Sequence, residues 1–531
     1  MVSNRMLCKA NNFSIYGEYA NNYRDQAMML VNGKLPLGWQ WVSSSQNSTV
    51  AAKTEDVKVY YKEFLPRNIF EKIKAVLYGS RSRRACRQAD ILLSAGLPTP
   101  GILCWGNSNK SVFIISEAFD GIGFFDYLLN NFLSPLTWQK MKEKRLLLKS
   151  AGSLVGKLHH NGIVHGDLRQ NNLLVKKDGD FFKFSFIDNE RNRKWRHIPV
   201  SQIIKNIVQF SVAADNVLSR TDLMRMFIAY KSSNPGFSVE NESKLLQAVY
   251  ARRKPRILKS NFRFYMTHNC KPIKSRLFYG QYLINSEVAK KLSQNIDPGK
   301  WFTSESTTIK KDKNITVNLL PLSGEMIIAK RFVSNILLFR IKTLLKKERT
   351  QRLWDITHCF KVLDIPVALP LAYIIESKGL WQINSYFYSQ YLSDTISLID
   401  LSKNINDFSG WLENKKIIPR FAKILSKIHN NGFCHGDTKW VNILVNENSG
   451  DFWLIDLDGA HRSKSKSGAC MLKDLARFIV DMIETGLAEK FIKDFLVVYC
   501  NARGLNKELV QKELNPHITK ILERHRKKYN I

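Results

Sequence analysis

Two short polar turns in the sequence carry residue types that suit phosphoryl transfer. In the first polar turn, residues 165–172, Asp167 and Asn172 stand five positions apart, and a later apolar run ends at Asp188. One carboxylate can orient an attacking hydroxyl, while an amide and a second carboxylate can hold Mg²⁺ on the phosphates. We therefore predict that Asp167 is catalytic and that Asn172 and Asp188 are metal ligands.

The same arrangement occurs again in the C-terminal half of the chain. The second polar turn, residues 435–442, carries Asp437 and Asn442 at the same spacing, and the following apolar run ends at Asp456. A single copy of this pattern could be an aspartate that caps a turn, but two copies disfavour that explanation. We predict that Asp437 is the second catalytic residue and that Asn442 and Asp456 are the second pair of metal ligands.

The internal similarity extends well beyond the two turns. Residues 59–64 match residues 327–332, and residues 205–210 match residues 473–478, both at an offset of 268. Similarity at a fixed offset is the mark of a repeated architecture, so we interpret the chain as a tandem duplication. We predict one domain at residues 1–260 and a second at residues 261–531.

Composition limits the class of protein. The chain has 531 residues, 44% of them hydrophobic, which is enough for two sizeable cores. Its eight cysteines are scattered and form no Cys-x-x-Cys pair, which favours a reducing cytoplasm and argues against zinc or a disulfide framework. No apolar run approaches the roughly 18 residues of a membrane-spanning helix, and we expect no secretory signal.

The charge of the chain indicates an anionic partner. The net charge is +35, from 81 basic and 46 acidic residues, and residues 252–280 hold nine basic residues and no acidic one. Such an excess favours nucleic acid, an anionic membrane surface or a phosphorylated substrate. We place the domain boundary inside this basic stretch.

The elements around the turns follow from their hydrophobic periodicity. Residues 53–64 alternate as strands do and end near Lys62, whose counterpart is Lys330. The helical spacing of apolar residues predicts helices at residues 83–95, 146–160 and 423–431. Two further amphipathic segments, 66–77 and 335–347, could face a core or lie on a membrane surface.

In each half of the chain a lysine comes first, then a His-Gly-Asp-x-x-x-x-Asn turn and then an Ile-Asp pair. This order of motifs resembles that of proteins with the protein-kinase-like fold. With the Leu97–Pro100 stretch and residues 205–210, it is similar in particular to the lipopolysaccharide core kinases, the Kdo and heptose kinase family. The resemblance covers most of residues 50–250 and, more loosely, 320–500. It implies an α+β chain of two tandem bilobal kinase-like domains, each with a β-rich N-lobe and a helical C-lobe.

The resemblance also implies ATP and Mg²⁺ as cofactors. By that likeness Lys62 and Lys330 bind the nucleotide phosphates, together with Asn172 and Asn442. The histidines of the two turns, His165 and His435, then look structural. A polar residue of a following helix, Asn206 in the first copy and Asp474 in the second, holds each turn by hydrogen bonds.

The sequence departs from the protein-kinase pattern around the lysines. No glutamate stands at a matching position to pair with them; the helices offer Asp90 in one copy and Glu348 or Asp355 in the other. A Gly-x-Gly-x-x-Gly loop is absent as well, and residues 43–48 could cover the phosphates or form a plain surface turn. Two residues after each metal aspartate stands another carboxylate, either a further metal contact or a solvated group: Glu190 and Asp458.

Further departures bear on the acceptor. Gly166 and Gly436 stand where protein kinases place an arginine that reads a phosphorylated activation loop. Only 17 residues separate Asp188 from Asn206, which leaves little room for an activation loop and a peptide-docking platform. We therefore expect a small-molecule, sugar or glycolipid acceptor rather than a protein.

The leading hypothesis is an ATP-dependent kinase for Kdo or heptose hydroxyls of the lipopolysaccharide inner core. It predicts a cytoplasmic protein, peripheral on the inner membrane, whose partners are the core glycolipid and an anionic membrane surface. One alternative is a small-molecule kinase of the aminoglycoside or choline type, whose cationic acceptors a charge of +35 disfavours. The other is a non-catalytic kinase-fold scaffold or nucleic-acid-binding protein, with steeply salt-dependent binding; we expect nucleic acid not to be a partner.

Overall fold

The chain divides into two compact units, an N-terminal unit of Met1–Ile257 and a C-terminal unit of Leu258–Ile531. The structure is a computed structural model, and it describes residues 6–10, 13–45, 48–53, 58–65, 75, 77–108, 111–133, 135–212, 217–237, 242–294, 298–299, 306–333, 348–378, 381–463 and 468–529. Nearly all of the predicted amphipathic segments 66–77 and 335–347 lies outside these residues. So do Gln46 and Asn47, at the centre of the predicted turn at 43–48.

The N-terminal unit begins with an antiparallel seven-stranded sheet. Its strands are β1 (Met6–Ala10), β2 (Phe13–Tyr16), β3 (Trp39–Ser45), β4 (Ser48–Lys53), β5 (Val59–Phe64), β6 (Ile102–Asn107) and β7 (Val112–Glu117), and their order is β1-β2-β6-β7-β5-β4-β3. Helices α1 (Ala20–Val31) and α2 (Arg81–Ser94) belong to the same part of the chain. Lys62 lies inside β5, opposite Val50 of β4 and Ile114 of β7.

The rest of the N-terminal unit is mostly helical. Its helices are α3 (Phe124–Asn131), α4 (Trp138–His160), α5 (Val200–Phe210), α6 (Arg220–Ser232) and α7 (Glu242–Asn269), the last of which crosses the division between the units. Five short strands frame the first polar turn: β8 (Ile122–Gly123), β9 (Ile163–Val164), β10 (Leu173–Asp178), β11 (Phe181–Phe186) and β12 (Arg193–Lys194). They form a three-stranded sheet, β11-β10-β8, and the pair β12-β9.

The C-terminal unit repeats this plan. Its seven-stranded sheet has the order β13-β14-β18-β19-β17-β16-β15, built from Cys270–Lys274, Phe278–Leu283, Thr307–Lys311, Ile315–Leu322, Glu325–Val333, Pro370–Lys378 and Trp381–Gln390 in chain order. Five short strands follow: β20 (Ile396–Ser397), β21 (Phe433–Cys434), β22 (Ile443–Val445), β23 (Phe452–Leu454) and β24 (His461–Arg462). Its helices are Glu287–Gln294, Arg349–Val362, Leu398–Asn404, Phe408–Asn414, Ile417–Asn430, Ala469–Glu484, Glu489–Arg503 and Lys507–Tyr529, labelled α8 to α15.

Each unit has one apolar core in its sheet and a larger one among its helices. In the N-terminal unit Tyr61 and Phe113 belong to the sheet core, while Leu147 and Phe186 belong to the helical one. In the C-terminal unit a helical core around Phe421 and Phe478 accompanies a sheet core. Since the polar turns lie between strands whose residues fill the helical cores, packing holds their ends in place.

The helices that precede the two polar turns are longer than their apolar periodicity indicates. Helix α4 begins at Trp138 because the Thr137 side chain accepts a hydrogen bond from the Lys140 amide at 3.3 Å. The helix predicted at 423–431 begins at Ile417. The first turns of α4 are mixed in polarity, so periodicity alone places its start too late; the first turns of the second helix carry buried apolar residues, Ile417, Ile418 and Phe421, and its predicted start was simply too late.

The basic stretch after Arg252 lies on helix α7 and strands β13 and β14, not in an irregular linker. Eight of its nine basic side chains are exposed. Arg253 is buried instead, and its guanidinium donates to the carbonyl oxygens of Ser211 and Leu218. Among the described residues, no helix combines the length and the apolar character that a membrane crossing requires.

The sequence-based expectation about cysteines needs a correction. Cys434, in β21, and Cys470, in the first turn of α13, are joined as a disulfide in the structure. Five other cysteines have free thiols: Cys86, Cys104, Cys270, Cys359 and Cys500. Cys434 and Cys470 are 36 residues apart, so no local spacing signalled their pairing.

Candidate active site

The two polar turns present their aspartates in similar surroundings. Asp167 Oδ1 accepts hydrogen bonds from Arg169 Nε at 3.1 Å and from Gln209 Nε2 at 3.2 Å. Asp437 Oδ1 instead forms an ion pair with Arg477 Nη1 at 3.1 Å. Both aspartates are partly exposed, as a group that meets an acceptor must be.

Hydrogen bonds bring the predicted metal ligands together. The Asn172 side-chain amide donates to the carbonyl oxygen of Asp167 at 2.8 Å, and the Asn172 carbonyl oxygen accepts from the Ile187 amide at 3.0 Å. Asp188, the next residue, is thereby held beside the turn. Since the Asn172 nitrogen is used within the turn, its side-chain oxygen is the atom that could face a cation.

The second turn repeats these bonds. Asn442 Nδ2 donates to the Asp437 carbonyl oxygen at 3.0 Å, and the Ile455 amide donates to the Asn442 carbonyl oxygen at 3.0 Å. The residues before the two metal aspartates are also held alike, since Phe186 donates to Pro98 and Leu454 to Pro366. The structure therefore brings Asn442 and Asp456 together as it does Asn172 and Asp188.

Both metal aspartates have a left-handed backbone. Asp188 has φ 62° and ψ 40°, and Asp456 has φ 55° and ψ 52°. Such a conformation costs a non-glycine residue free energy and is frequent at functional sites. It turns the chain sharply after the buried strand, so that the carboxylate lies at the strand's end.

The two strand lysines pair with these aspartates. Lys62 forms an ion pair with Asp188, while Lys330 lies 2.8 Å from Asp456 and 2.5 Å from Asp458. Burial of Asp456 would raise the pKa of its carboxyl, but the nearby Lys330 outweighs burial and holds that pKa below its ordinary value. The lysine therefore keeps this carboxylate charged.

None of the carboxylates that the sequence offered takes the place of the missing glutamate. Glu348 caps helix α9, where it accepts from the Thr350 amide at 2.6 Å and from Ser385 Oγ at 2.8 Å. The lysines pair with other carboxylates, Lys62 with Asp188 and Lys330 with Asp456 and Asp458.

Two arginines that the sequence analysis did not single out complete the network. Arg81 holds Glu190 through two hydrogen bonds of 2.8 Å, and its guanidinium lies 4.5 Å from the centre of the Phe64 ring. Glu190 is therefore neither solvated nor free to face a metal alone. The offset of 268 between Arg81 and its counterpart was the signal in the sequence that could have revealed it.

That counterpart, Arg349, makes the same contacts in the C-terminal unit. Its Nη2 lies 3.2 Å from Asp458 Oδ2, and its guanidinium is 4.6 Å from the centre of the Phe332 ring. Asp458 is buried too, so it is not a solvated carboxylate. In each unit an arginine at the start of a helix thus fixes the carboxylate that follows the metal aspartate.

The two turns are tied to their helices differently. In the C-terminal unit Asp474 accepts from the amides of His435 at 2.7 Å and Gly436 at 2.9 Å. In the N-terminal unit Asn206 accepts from the His165 amide at 3.0 Å. There the Gly166 amide donates instead to Asn192, at 3.1 Å. Asn192 therefore supplies the second acceptor that an asparagine at 206 does not provide.

The turn histidines are fully buried. Burial lowers the pKa of His165 and of His435, and in neither case do nearby carboxylates reverse that effect. His165 Nδ1 accepts from the Asp167 amide at 3.2 Å, and His435 Nδ1 accepts from the Asp437 amide at 3.3 Å. A neutral ring that shapes the turn fits these contacts, as the sequence indicated.

The glycines after the histidines stand where no side chain fits. A Cβ at Gly166 would lie 2.4 Å from the Arg191 carbonyl oxygen, and one at Gly436 would lie 2.5 Å from the Gly459 carbonyl oxygen. Gly436 also has φ +87°. The turn and the segment after the metal aspartate approach too closely for the arginine that protein kinases carry there.

A cleft of about 310 Å³ opens beside these residues in the N-terminal unit. Apolar side chains form part of its wall, namely Val50, Ile114 and Leu174, and Lys62 and Asp188 supply polar groups. Apolar walls with a few fixed polar groups are typical of nucleotide and other small-molecule sites. The oxygen donors near Lys62 are hard ligands of the kind Mg²⁺ prefers.

These features suit phosphoryl transfer, and the comparison with protein families supports a kinase. The model of the lipopolysaccharide kinase (Kdo/WaaP) family matches residues 41–230 and 328–499. The two segments exceed half of the chain, so the chain belongs to the lipopolysaccharide kinase (Kdo/WaaP) family. It is therefore an ATP-dependent phosphotransferase by class, as the sequence analysis predicted.

Two individual proteins are similar over smaller parts. The "Protein kinase kin1" of Schizosaccharomyces pombe is 33% identical over 75 residues, which span 14% of this chain and 8% of that protein. A solved structure described as WaaP in complex with acyl carrier protein is 16% identical, with a TM-score of 0.35. The match covers 47% of this chain and 98% of that one.

Proposed function

We propose that the protein is an ATP-dependent sugar kinase that phosphorylates Kdo or heptose hydroxyls of the lipopolysaccharide inner core. The observation that carries this proposal is the cleft with Lys62 and Asp188, joined through Asn172 to the turn that holds Asp167. Membership of the lipopolysaccharide kinase family supports the choice of acceptor.

The proposal includes two tandem bilobal kinase-like domains, at residues 1–260 and 261–531, that arose by duplication. The shared strand order of the two seven-stranded sheets supports it, as does the family match in two segments. In each domain the sheet part would be the N-lobe and the helical part the C-lobe, with the cleft at their junction.

Within each domain the residues have separate tasks. Asp167 and Asp437 orient the acceptor hydroxyl and take its proton. Lys62 and Lys330 exchange their aspartate partners for the nucleotide phosphates. The predicted metal ligands, Asn172 with Asp188 and Asn442 with Asp456, would hold Mg²⁺, which neutralises charge on the phosphates when it is bound.

Charges near the turn aspartates support an anionic acceptor. Arg169 is 75% exposed beside Asp167, and Lys439 and Arg477 lie near Asp437. Such cations can bind the carboxylate or phosphate groups of a core sugar, whereas a cationic aminoglycoside would be repelled. The exposed basic side chains after residue 252 support a peripheral position at the cytoplasmic face of the inner membrane.

The test is phosphate transfer from Mg²⁺-ATP to purified inner-core glycolipid, read as a mass increase of the acceptor. Lys62→Met combined with Lys330→Met removes both phosphate-binding charges and should abolish transfer. Lys176→Met is the matched control, because Lys176 is an exposed lysine whose ammonium pairs with the exposed Asp120. Absence of transfer by the unaltered protein to both Kdo-containing and heptose-containing acceptors would contradict the proposal.

A further inference from the structure

A pair of cysteines adjoins the second polar turn and has no counterpart at the first. Cys434 immediately precedes His435, and Cys470 lies in the first turn of helix α13, whose Asp474 holds the turn amides. The equivalent positions in the N-terminal unit, at the offsets of the surrounding motifs, are Val164 and Gln202. Neither can form a disulfide.

The surroundings of the pair differ at its two ends. Cys434 is fully buried, whereas Cys470 is partly exposed. A ring nitrogen of His461 lies within 4.8 Å of both sulfur atoms, and His461 Nδ1 donates to the Gly459 carbonyl oxygen at 2.9 Å. Cys470 is thus the thiol that a small molecule can reach, and the imidazole of His461 lies in the same cluster.

We propose that Cys434 and Cys470 are a reversible oxidation site that makes the second polar turn, and not the first, sensitive to small-molecule disulfides. The Cys470 thiolate attacks one sulfur of a disulfide such as oxidised glutathione, and one thiolate leaves. Cys434 then attacks the Cys470 sulfur and releases the second thiolate. Two protein thiols are oxidised, one disulfide is reduced to two thiols, and two protons pass to the leaving groups.

The consequence follows from where the cross-link lies. Asp474 is one helical turn beyond Cys470 and receives the amides of His435 and Gly436. The disulfide links Cys434, just before those amides, to helix α13. It therefore connects covalently the same turn and helix that Asp474 connects by hydrogen bonds, and we call this connection the joint. The oxidised form should therefore hold Asp437 more rigidly, while thiols leave the joint to Asp474 alone.

The first experiment identifies the bond. The full-length protein is reduced, equilibrated with oxidised glutathione, denatured, alkylated and mapped as peptides without reduction. We expect one cross-linked species that joins the peptides of Cys434 and Cys470 and disappears on reduction with dithiothreitol. Cys359 and Cys500, both buried, are internal controls and should remain alkylated thiols.

The second experiment tests the effect on the turn by hydrogen exchange of the full-length protein. Oxidation should slow exchange in residues 433–437 by about tenfold, because it removes openings of that joint, and leave residues 163–167 unchanged. Cys434→Val, which introduces the residue of the N-terminal unit, should abolish the response, and Cys470→Ser should do the same.

Several outcomes would overturn the proposal. One is alkylation of both cysteines after treatment with oxidised glutathione. Another is equal slowing of exchange in both turns, which would mean that the cross-link is not the cause. A third is one zinc ion per chain that is lost in Cys434→Val, which would make the cluster with His461 a metal site instead. These results do not depend on the acceptor, so they leave the proposed kinase function untouched.

Discussion

Asp474→Asn should loosen the second polar turn although the same asparagine is tolerated at position 206 of the first. Asp474 accepts two backbone amides at 2.7 and 2.9 Å and is fully buried. Asparagine offers one side-chain oxygen, and in the N-terminal unit that oxygen serves only one amide of the turn while Asn192 serves the other. The position equivalent to Asn192 is Ala460, which has no acceptor.

The size of the effect can be worked out from these contacts. The substitution leaves the Gly436 amide without its acceptor, which costs about 1–3 kcal/mol for a buried donor. It also turns the bond to His435 from a charge-assisted bond into a neutral one, roughly half as strong. We expect a loss of about 2–3 kcal/mol in the local stability of the turn, or about 30- to 150-fold faster exchange of its amides.

Hydrogen exchange of the full-length protein, read in residues 433–437, measures this directly. The matched variant is Asn192→Ala in the N-terminal unit, which removes the acceptor of the Gly166 amide and also the donor to Asn189 Oδ1. The lost acceptor should itself cost about 1–3 kcal/mol there. Adding Ala460→Asn to Asp474→Asn should recover only part of the loss. In the N-terminal unit the Asn192 side chain is itself held by a hydrogen bond to Asn189. The position equivalent to Asn189 is Leu457, whose side chain cannot accept that bond. Unchanged exchange in the Asp474→Asn protein would refute the reasoning.

Three further predictions address metal, acid and membrane. Asp188→Ala or Asp456→Ala should abolish Mg²⁺-dependent nucleotide binding in the altered unit while its circular dichroism is retained; calorimetry that still finds two Mg²⁺-ATP sites would contradict the assignment. Burial lowers the pKa of His159 to about 4. The neutral ring therefore stabilises the fold at a pH above the pKa of histidine in the unfolded chain. This stabilisation is lost as the pH falls from about 6.5 towards 4, by about 1.4 kcal/mol per pH unit. His159→Gln should make the urea midpoint less dependent on pH in that range, and an equal dependence in both proteins would count against it. The protein should sediment with anionic vesicles at low salt and be released as the salt concentration rises. Release should need less salt when Lys271, Lys274 and Arg276 are changed to Gln than when Lys490 is changed to Gln. Recovery of the protein in the supernatant at low salt would argue against a membrane role.

The repeat explains why much of the site could be predicted. Each polar turn is a local pattern, and its second copy at a fixed offset distinguished Asp167 and Asn172 from chance. The hydrogen bonds within the turn join residues only five positions apart, so short-range spacing was enough. The structure then supplies the contact that brings Asp188 to the same place, through the Ile187 amide.

Contacts between distant residues could not be predicted in the same way. Arg81 and Glu190 are 109 residues apart, and the left-handed backbone of Asp188 depends on the strand that delivers it. Asn192 compensates for Asn206 only because the fold places both beside Gly166. The interpretation of Glu190 as a solvated carboxylate was wrong for the same reason, because its burial against Arg81 depends on the tertiary structure.

The central claim is that both units transfer phosphate, and counting phosphates on the core oligosaccharide tests it most directly. Asp167→Asn and Asp437→Asn are made separately in the full-length protein, each replacing a carboxylate that takes a proton by an amide that cannot. Each protein is expressed in cells that lack the unaltered one, and the core is analysed by mass spectrometry. Each substitution should remove part of the phosphate and leave the rest. If Asp437→Asn alone removes all of it, the N-terminal unit is a binding or scaffolding module and the claim is wrong.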